Sequence, residues 1–150
     1  MSRNNTVLVS GAMGQLGRRL TKVLLDRGRT VVALDLRTKA TLALTGELKR
    51  EPSQAGALVP AFVDLLDAAA VLRWVAEHRP SVIVHLAAVV APVCYKNPKF
   101  ARRVNVEGTR NLVEAAEALP ERSMFVMVSS SAVYGSRNPH RHAERISWCS

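Results

Sequence analysis

The sequence predicts an α/β fold in which a parallel sheet of five strands is covered by helices on both faces. Short apolar runs alternate with amphipathic segments along most of the 150 residues, and this alternation is typical of strands joined by helical crossovers. The run at 30–35 is nearly continuously apolar, as expected of a strand buried on both faces. Right-handed crossovers then predict the strand order 3-2-1-4-5.

Five apolar runs are predicted as strands. They cover residues 6–10, 30–35, 58–64, 81–86 and 123–128. Pro60 cannot donate a hydrogen bond to a neighbouring strand. We therefore expect the third strand either to begin late or to lie at the edge of the sheet.

Three segments have the apolar spacing of helices. They cover residues 15–27, 68–78 and 98–118. Gly28 is placed to end the first, Asp67 can cap the second, and Gly108 weakens the middle of the third. The side chains predicted to face the core are Leu16, Leu20, Val23 and Leu24, then Val71, Leu72 and Val75, then Val104, Leu112, Val113 and Ala116.

Two connecting segments are less regular. Residues 37–56 are mixed and polar, which predicts a short helix and a surface loop. Residues 87–97 are mostly small, which predicts a loop.

The composition bounds the class of protein. Apolar residues make up 48% and charged residues 22%, which is typical of one globular domain. No apolar stretch is long enough to span a membrane and no signal peptide is evident, so we expect a cytoplasmic protein without a membrane partner. Cys94 and Cys149 have no metal-binding spacing with the histidines, and we expect free thiols and no metal.

The net charge of +9 raises the question of nucleic acid. The basic residues are scattered, however, and few aromatic residues lie among them to stack on bases. An anionic cofactor and substrate also suit a positive surface. A nucleic-acid partner is therefore the weaker expectation.

Three glycines follow the first strand at the spacing of a phosphate-binding turn. Gly11, Gly14 and Gly17 lie between an apolar run and a helix, and an acid, Asp35, ends the second strand. Glycines allow the backbone to turn tightly and to approach a pyrophosphate, and a helix N-terminus presents free N–H groups to the anion. The pattern predicts a Rossmann-type dinucleotide site.

Asp35 also bears on the choice of cofactor. Its carboxylate would accept hydrogen bonds from the adenine-ribose hydroxyls and repel a 2′-phosphate, which favours NAD over NADP. Arg37 lies two residues later and could accommodate that phosphate, so NADP stays open.

Several motifs occur in order over about residues 5–136. They read SGAMGQLG at 10–17, Asp at 35, DL at 64–65, HLAA at 85–88, NVEGTRNLVEAA at 105–116 and SSSAVYG at 129–135. Together they resemble the extended short-chain dehydrogenase/reductase family, the NAD-dependent epimerases and dehydratases that act on nucleotide sugars. Ser10 stands where that family has threonine.

The resemblance implies a site. Ser130, with Ser131 as the alternative, matches the catalytic serine that would bond to a substrate oxygen. Asn105 is implied as a structural polar residue near the active site, whereas His85 is expected to be a packed strand-end residue rather than a base. The residues implied to bind the dinucleotide are Gly11, Gly14, Gln15, Leu16, Gly17, Asp35, Asp64, Leu65, Leu86, Ala87 and Ala88.

One departure concerns catalysis. The family's Tyr-x-x-x-Lys pair follows the serine strand by some two dozen residues, and this chain reaches Ser150 first. In relatives the tyrosinate takes a hydroxyl proton while hydride passes to the nicotinamide. We interpret the chain as a C-terminally truncated member without turnover, with a Rossmann domain over 1–136 and a disordered tail over 137–150.

A second Tyr-x-x-x-Lys spacing begins at Tyr95 and ends at Lys99. It contains Pro98, which disfavours helix at the preceding residue, and it precedes the serine strand. We expect it not to be catalytic.

Two alternatives to an epimerase or dehydratase stay open. One is a non-catalytic NAD-binding regulator, which would keep the glycine turn without the catalytic pair. The other, less favoured, is a basic nucleic-acid-binding protein on a Rossmann scaffold. A homodimer is also left open.

Overall fold

The computed structural model describes residues 5–50 and 55–130. Its five strands form one parallel sheet in the order β3-β2-β1-β4-β5. This confirms the predicted fold class and strand order. The strands are β1 (Thr6–Ser10), β2 (Thr30–Asp35), β3 (Ala57–Phe62), β4 (Val82–His85) and β5 (Met124–Met127).

Helical segments connect the strands. A π-helical turn, Arg103–Gly108, joins the fifth helix to the sixth. The helices are α1 (Gln15–Asp26), α2 (Lys39–Arg50), α3 (Ala68–His78), α4 (Val93–Lys96), α5 (Pro98–Arg102) and α6 (Thr109–Glu117).

Two hydrophobic cores lie on opposite faces of the sheet. Alternate residues of a strand point to opposite faces, and along β1 Leu8 belongs to one core while Val7 and Val9 belong to the other. The first core is completed by α3 and α6, and the second by α1 and α2. Helices therefore cover both faces, as predicted.

Three local signals have the predicted effect. Asp67 caps α3, since its Oδ1 accepts a hydrogen bond of 2.9 Å from the amide of Ala70. Gly28 ends α1 with a φ of 74°, and its amide donates to the carbonyl of Leu25. Pro60 lies on the edge strand β3, which begins before it at Ala57, so the edge expectation is confirmed and the late start is wrong.

The predicted inner face of α1 is partly wrong. Leu16 and Val23 are 63% and 45% exposed, and the buried stripe instead contains Gly17, Thr21 and Leu25. The reason is close packing, because a Cβ on Gly17 would lie 2.1 Å from the carbonyl oxygen of Gly11. The helix therefore rests on the turn through its small residues.

The inner face of α3 needs a similar correction. Val71 and Val75 are fully buried, but Leu72 is 46% exposed. Residues four apart share a helix face, whereas the next residue is rotated by about 100°. The contact with the sheet is too narrow to include Leu72.

Several bounds also differ from the prediction. The segment 37–56 contains a helix of 12 residues, α2, whose start is stabilised by reciprocal bonds between the side chains and amides of Thr38 and Thr41. The small-residue loop contains α4. The single helix predicted over 98–118 is divided by the π-helical turn, and there Gly108 lies against Leu65.

Candidate functional site

A groove follows the carboxyl ends of the strands, with the glycine turn at its centre. It consists of a smaller cavity of about 510 Å³ and a larger one of about 730 Å³. Every described residue that the sequence predicted for the site lines at least one of them. The residues shared by both cavities are Gly11, Gly14, Leu86, Ala87 and Ala88.

The three glycines of the turn are required for different reasons. Gly11 has a φ of 68°, and a Cβ there would lie 2.8 Å from the amide nitrogen of Ala87. Gly17 packs directly on the turn. At Gly14, by contrast, a Cβ would meet only the carbonyl oxygen of Gly11, at 3.2 Å, and φ is an ordinary −68°. The fold thus needs glycine at 11 and 17. At 14 a Cβ would require only that the carbonyl of Gly11 shift by a few tenths of an ångström, and Gly14 lines the open space of both cavities.

That open space lies at the N-terminus of α1. Gly14 is the residue before the first turn of the helix, and no side chain of the described residues caps it. The first amides of a helix have no partner within the helix, and they attract an anion together with the helix dipole. The turn therefore offers backbone donors beside an unfilled volume, as a phosphate needs.

The carboxylate of Asp35 is held by the backbone at the end of β2. Its Oδ2 accepts from the amide of Met13, and its Oδ1 accepts from the amide of Leu36, both at 2.8 Å. Each carboxylate oxygen can accept a further hydrogen bond. Asp35 lines the smaller cavity and is oriented to accept hydroxyl donors there.

Arg37 has a different environment. Its guanidinium lies 5.8 Å from the ring centroid of Phe62, at a distance where a cation is attracted to the ring. Arg37 is not one of the described residues that line the two cavities.

Asp64 and Leu65 connect the end of β3 to α3. The side chain of Asp64 accepts from the amide of Leu66 at 2.9 Å, so it shapes a turn besides lining the smaller cavity. Leu65 is 5% exposed, and its carbonyl accepts from Nδ2 of Asn111 at 2.7 Å. These hydrogen bonds hold Asp64 and Leu65 in place in the wall of the smaller cavity.

The rest of that wall is mostly apolar and was missed by the sequence interpretation. An apolar cavity with a few oriented polar groups is typical of a small-molecule site. Apart from Met13, which lies within the glycine motif, no motif marks these positions, because their side chains come together only in the folded chain. The apolar ones are Met13, Leu34, Leu36, Ala40, Leu44, Val63, Leu66, Val89, Phe100 and Val104, and Thr41 is the polar one.

Asn105 holds the loop that follows β4. Its Oδ1 accepts from the amide of Val89 at 2.7 Å, and its Nδ2 donates to the carbonyl of the same residue at 3.0 Å. The loop that it holds contains Leu86, Ala87 and Ala88, which line both cavities. Asn105 therefore has a structural role beside the groove, as expected.

His85 is a packed strand-end residue, which confirms the prediction. It is 4% exposed. Its Nδ1 lies 2.6 Å from Oγ of Ser10, and its Nε2 lies 2.8 Å from Oγ1 of Thr109. Burial lowers the pKa of the imidazole below its ordinary value.

Of the two serines predicted for catalysis, the structure describes only Ser130. Ser130 lines the larger cavity, whereas Ser131 and the predicted tail at 137–150 lie outside the described residues.

Tyr95 is exposed on α4 and Lys99 lies on α5. Asn97 separates these helices with a φ of −141° and caps the second, so Tyr95 and Lys99 do not share one helical turn.

Comparison with known proteins agrees with the fold. The family model described as GDP-mannose 4,6 dehydratase matches residues 8–147. A dTDP-4-dehydrorhamnose reductase from Streptomyces griseus is 39% identical over 113 residues, which are 75% of this chain and 29% of the relative. A probable UDP-glucuronate 4-epimerase from Rhizobium meliloti (strain 1021) is 32% identical over 143 residues, which are 92% of this chain and 41% of the relative.

A solved structure is similar over nearly the whole chain. It is the crystal structure of UDP-glucose-4-epimerase from Stenotrophomonas maltophila with bound NAD and formylated UDP-arabinopyranose. The TM-score is 0.81 at 26% identity, and the match covers 96% of this chain and 42% of that one.

The chain therefore belongs to the extended short-chain dehydrogenase/reductase family, that of the NAD-dependent epimerases and dehydratases. It spans less than half the length of the relatives named above. In the part of the chain that the structure describes, no helix is long and apolar enough to cross a membrane.

Proposed function

We propose that the chain binds a nicotinamide dinucleotide along the groove, as the cofactor-binding part of an epimerase or dehydratase that acts on a nucleotide sugar. Gly14 carries this proposal. Its missing side chain leaves space at the point where the two cavities meet, beside the N-terminus of α1. A relative with bound NAD and a uridine-diphosphate sugar supports the same ligand classes.

Each part of the dinucleotide has matching residues. The pyrophosphate would lie at Gly14 and the first amides of α1. The ribose of the adenosine would bond to Asp35, and the apolar wall of the smaller cavity would accept the adenine. The nicotinamide would then face the larger cavity, which Ser130 lines.

The chemistry divides between cofactor and protein. A bound nicotinamide supplies a hydride acceptor or donor. The hydroxyl of Ser130 would bond to a substrate oxygen and orient it. Because no tyrosine and lysine of the described residues share one helical turn beside the groove, we also propose that this chain alone shows no turnover. A general acid–base group contributes about two to four orders of magnitude in rate.

We expect NAD to bind more tightly than NADP, because the Asp35 carboxylate repels a 2′-phosphate. Isothermal titration with both cofactors tests this. In Asp35→Asn the charge is lost, and we expect NAD affinity to fall about tenfold while NADP affinity falls less. Asp26→Asn, at the exposed end of α1, is the matched control. Equal affinity of the unmodified chain for both cofactors would contradict the assignment of Asp35.

A DNA titration and an activity assay separate the proposed function from a nucleic-acid-binding protein and from a non-catalytic regulator. Phosphate-driven binding to DNA weakens steeply as salt rises, so a nucleic-acid protein with a net charge of +9 would show strong DNA binding at low salt and no saturable NAD binding. A regulator would bind NAD but would form no product from any nucleotide sugar, even when supplied with the remaining part of a relative's catalytic machinery.

A further inference from the structure

A continuous run of hydrogen bonds joins β1, β4 and α6 at the larger cavity, which His85 and Thr109 line. It connects Ser10, the last residue of β1, with His85, the last residue of β4, and Thr109, the first residue of α6. The run extends at both ends. The amide of Ala87 donates to Oγ of Ser10 at 3.4 Å, and the hydroxyl of Thr109 donates to the carbonyl of Asn105 at 2.7 Å.

The direction of every bond follows from the number of hydrogens. Thr109 has one hydroxyl hydrogen, which it gives to Asn105, so its oxygen must accept from Nε2–H of His85. In the neutral imidazole Nδ1 is then the acceptor. The hydroxyl of Ser10 donates to Nδ1, and its oxygen is left to accept from Ala87. One tautomer of neutral His85 thus satisfies all the groups.

A proton on Nδ1 is incompatible with this arrangement. The imidazolium would donate to Oγ of Ser10, and the hydroxyl hydrogen of that fully buried serine would need another acceptor. Among the described residues, the side chains that bond to the ring or lie beside it from β1, β5 and α6 are Ser10, Phe125 and Thr109, and none of the three carries a charge to stabilise the cation. Burial itself lowers the pKa of His85. Protonation would therefore reverse the bond between Ser10 and His85 and leave the buried hydroxyl hydrogen of Ser10 without its acceptor, so that this hydroxyl must reorient.

Reorientation of the Ser10 hydroxyl would act directly on the groove. Ser10 precedes Gly11, and Ala87 touches Gly11 so closely that a Cβ there would lie 2.8 Å from its amide nitrogen. Gly11 and Ala87 line both cavities. A change in the bond between Ala87 and Ser10 thus alters the contact between the glycine turn and the loop after β4.

We propose that His85 is a positioning residue: in its neutral form it holds the glycine turn against residues 86–89, and its protonation weakens dinucleotide binding. The ligand in this statement depends on the proposed function. The hydrogen-bonded relay itself does not, so it can be tested on the chain without ligand.

Nuclear magnetic resonance of the ligand-free chain tests the relay. With nitrogen-15 in the imidazoles, we expect His85 to carry its hydrogen on Nε2 and to titrate at a lower pH than a histidine in water. The amide signals of Gly11 and Ala87 should shift at the same midpoint. His78→Gln, which removes a histidine that contacts Trp74, should leave this behaviour unchanged. A hydrogen on Nδ1, or amide signals that do not follow His85, would overturn the proposal.

Titration with NAD tests the consequence. Affinity should fall as the pH passes downward through the His85 midpoint. At pH 7.5, Thr109→Val should weaken binding about tenfold, while Thr109→Ser, which keeps the acceptor, should retain it. Affinity that is constant through the midpoint would overturn the inference alone. Absence of dinucleotide binding at every pH would overturn the proposed function instead.

Discussion

Gly14 and Gly17 lie three residues apart but respond to a side chain in different ways. We expect Gly14→Val to abolish dinucleotide binding and to leave the fold intact, because the added carbons would occupy the open space between the two cavities. Calorimetric titration with NAD and circular dichroism measure the two properties. Gly46→Val is the control, since a Cβ on that helical glycine meets only the end of Arg50, at 3.6 Å.

Two outcomes would contradict this interpretation of the turn. Normal NAD affinity in Gly14→Val would mean that the turn is a structural loop only. Unfolding of Gly14→Val would mean that the contact with the carbonyl of Gly11 cannot relax. Gly17→Ala is the reference for loss of folded structure in circular dichroism, because its Cβ would lie 2.1 Å from the same oxygen.

The residues of the groove divide into those that sequence could predict and those that it could not. Gly11, Asp35 and Ala87 lie at strand ends or just after them, and parallel strands place all their carboxyl ends at one edge, so spacing along the chain was sufficient. The partners of His85 were not predicted. Ser10 and Thr109 lie 75 and 24 residues away along the chain, and only folding brings them to the ring.

The π-helical turn between α5 and α6 gives Gly108 a role that helix propensity alone does not indicate. Propensity predicts that alanine would stabilise this position by about 0.5–1 kcal/mol. A Cβ would, however, lie 3.0 Å from the Cβ of the buried Leu65. Leu65 cannot move away easily at its Cβ, and overpacking costs about 1–3 kcal/mol.

We therefore expect Gly108→Ala to lower the free energy of unfolding by about 1 kcal/mol, since overpacking exceeds the gain in propensity. Chemical denaturation measures this change. Gly46→Ala on α2 is the matched control and should stabilise the chain, because its Cβ has ordinary contacts. If the two alanines stabilise the chain equally, Gly108 does not limit the packing of the π-helical turn on Leu65.

Among the helices, sequence located α3 within its observed bounds but underestimated α2. Asp67 marked the start of α3 with a recognised capping side chain. The start of α2 depends on two threonines, Thr38 and Thr41, whose hydroxyls bond to each other's amides. Threonine three residues after threonine is a weaker signal than the glutamate or glutamine of a capping box, so a short helix was predicted in place of 12 residues.

Charge and apolar exposure have opposite effects on association of the chain. The net charge is +9, and like charges keep copies apart at low ionic strength. Within the described residues β5 is the last strand of the sheet, and Met124 and Val126 on it are 65% and 40% exposed. An exposed apolar edge strand favours pairing with another chain.

We expect self-association to increase with salt, because at 0.15 M ionic strength charges are screened beyond about 8 Å while apolar contacts persist. Sedimentation velocity at low and moderate salt measures the change. Met124→Lys with Val126→Lys should reduce association strongly. Leu42→Lys with Leu72→Lys adds the same charge on exposed helix positions and should reduce it only slightly. Equal reduction by both pairs would show that net charge, rather than the edge of β5, controls association.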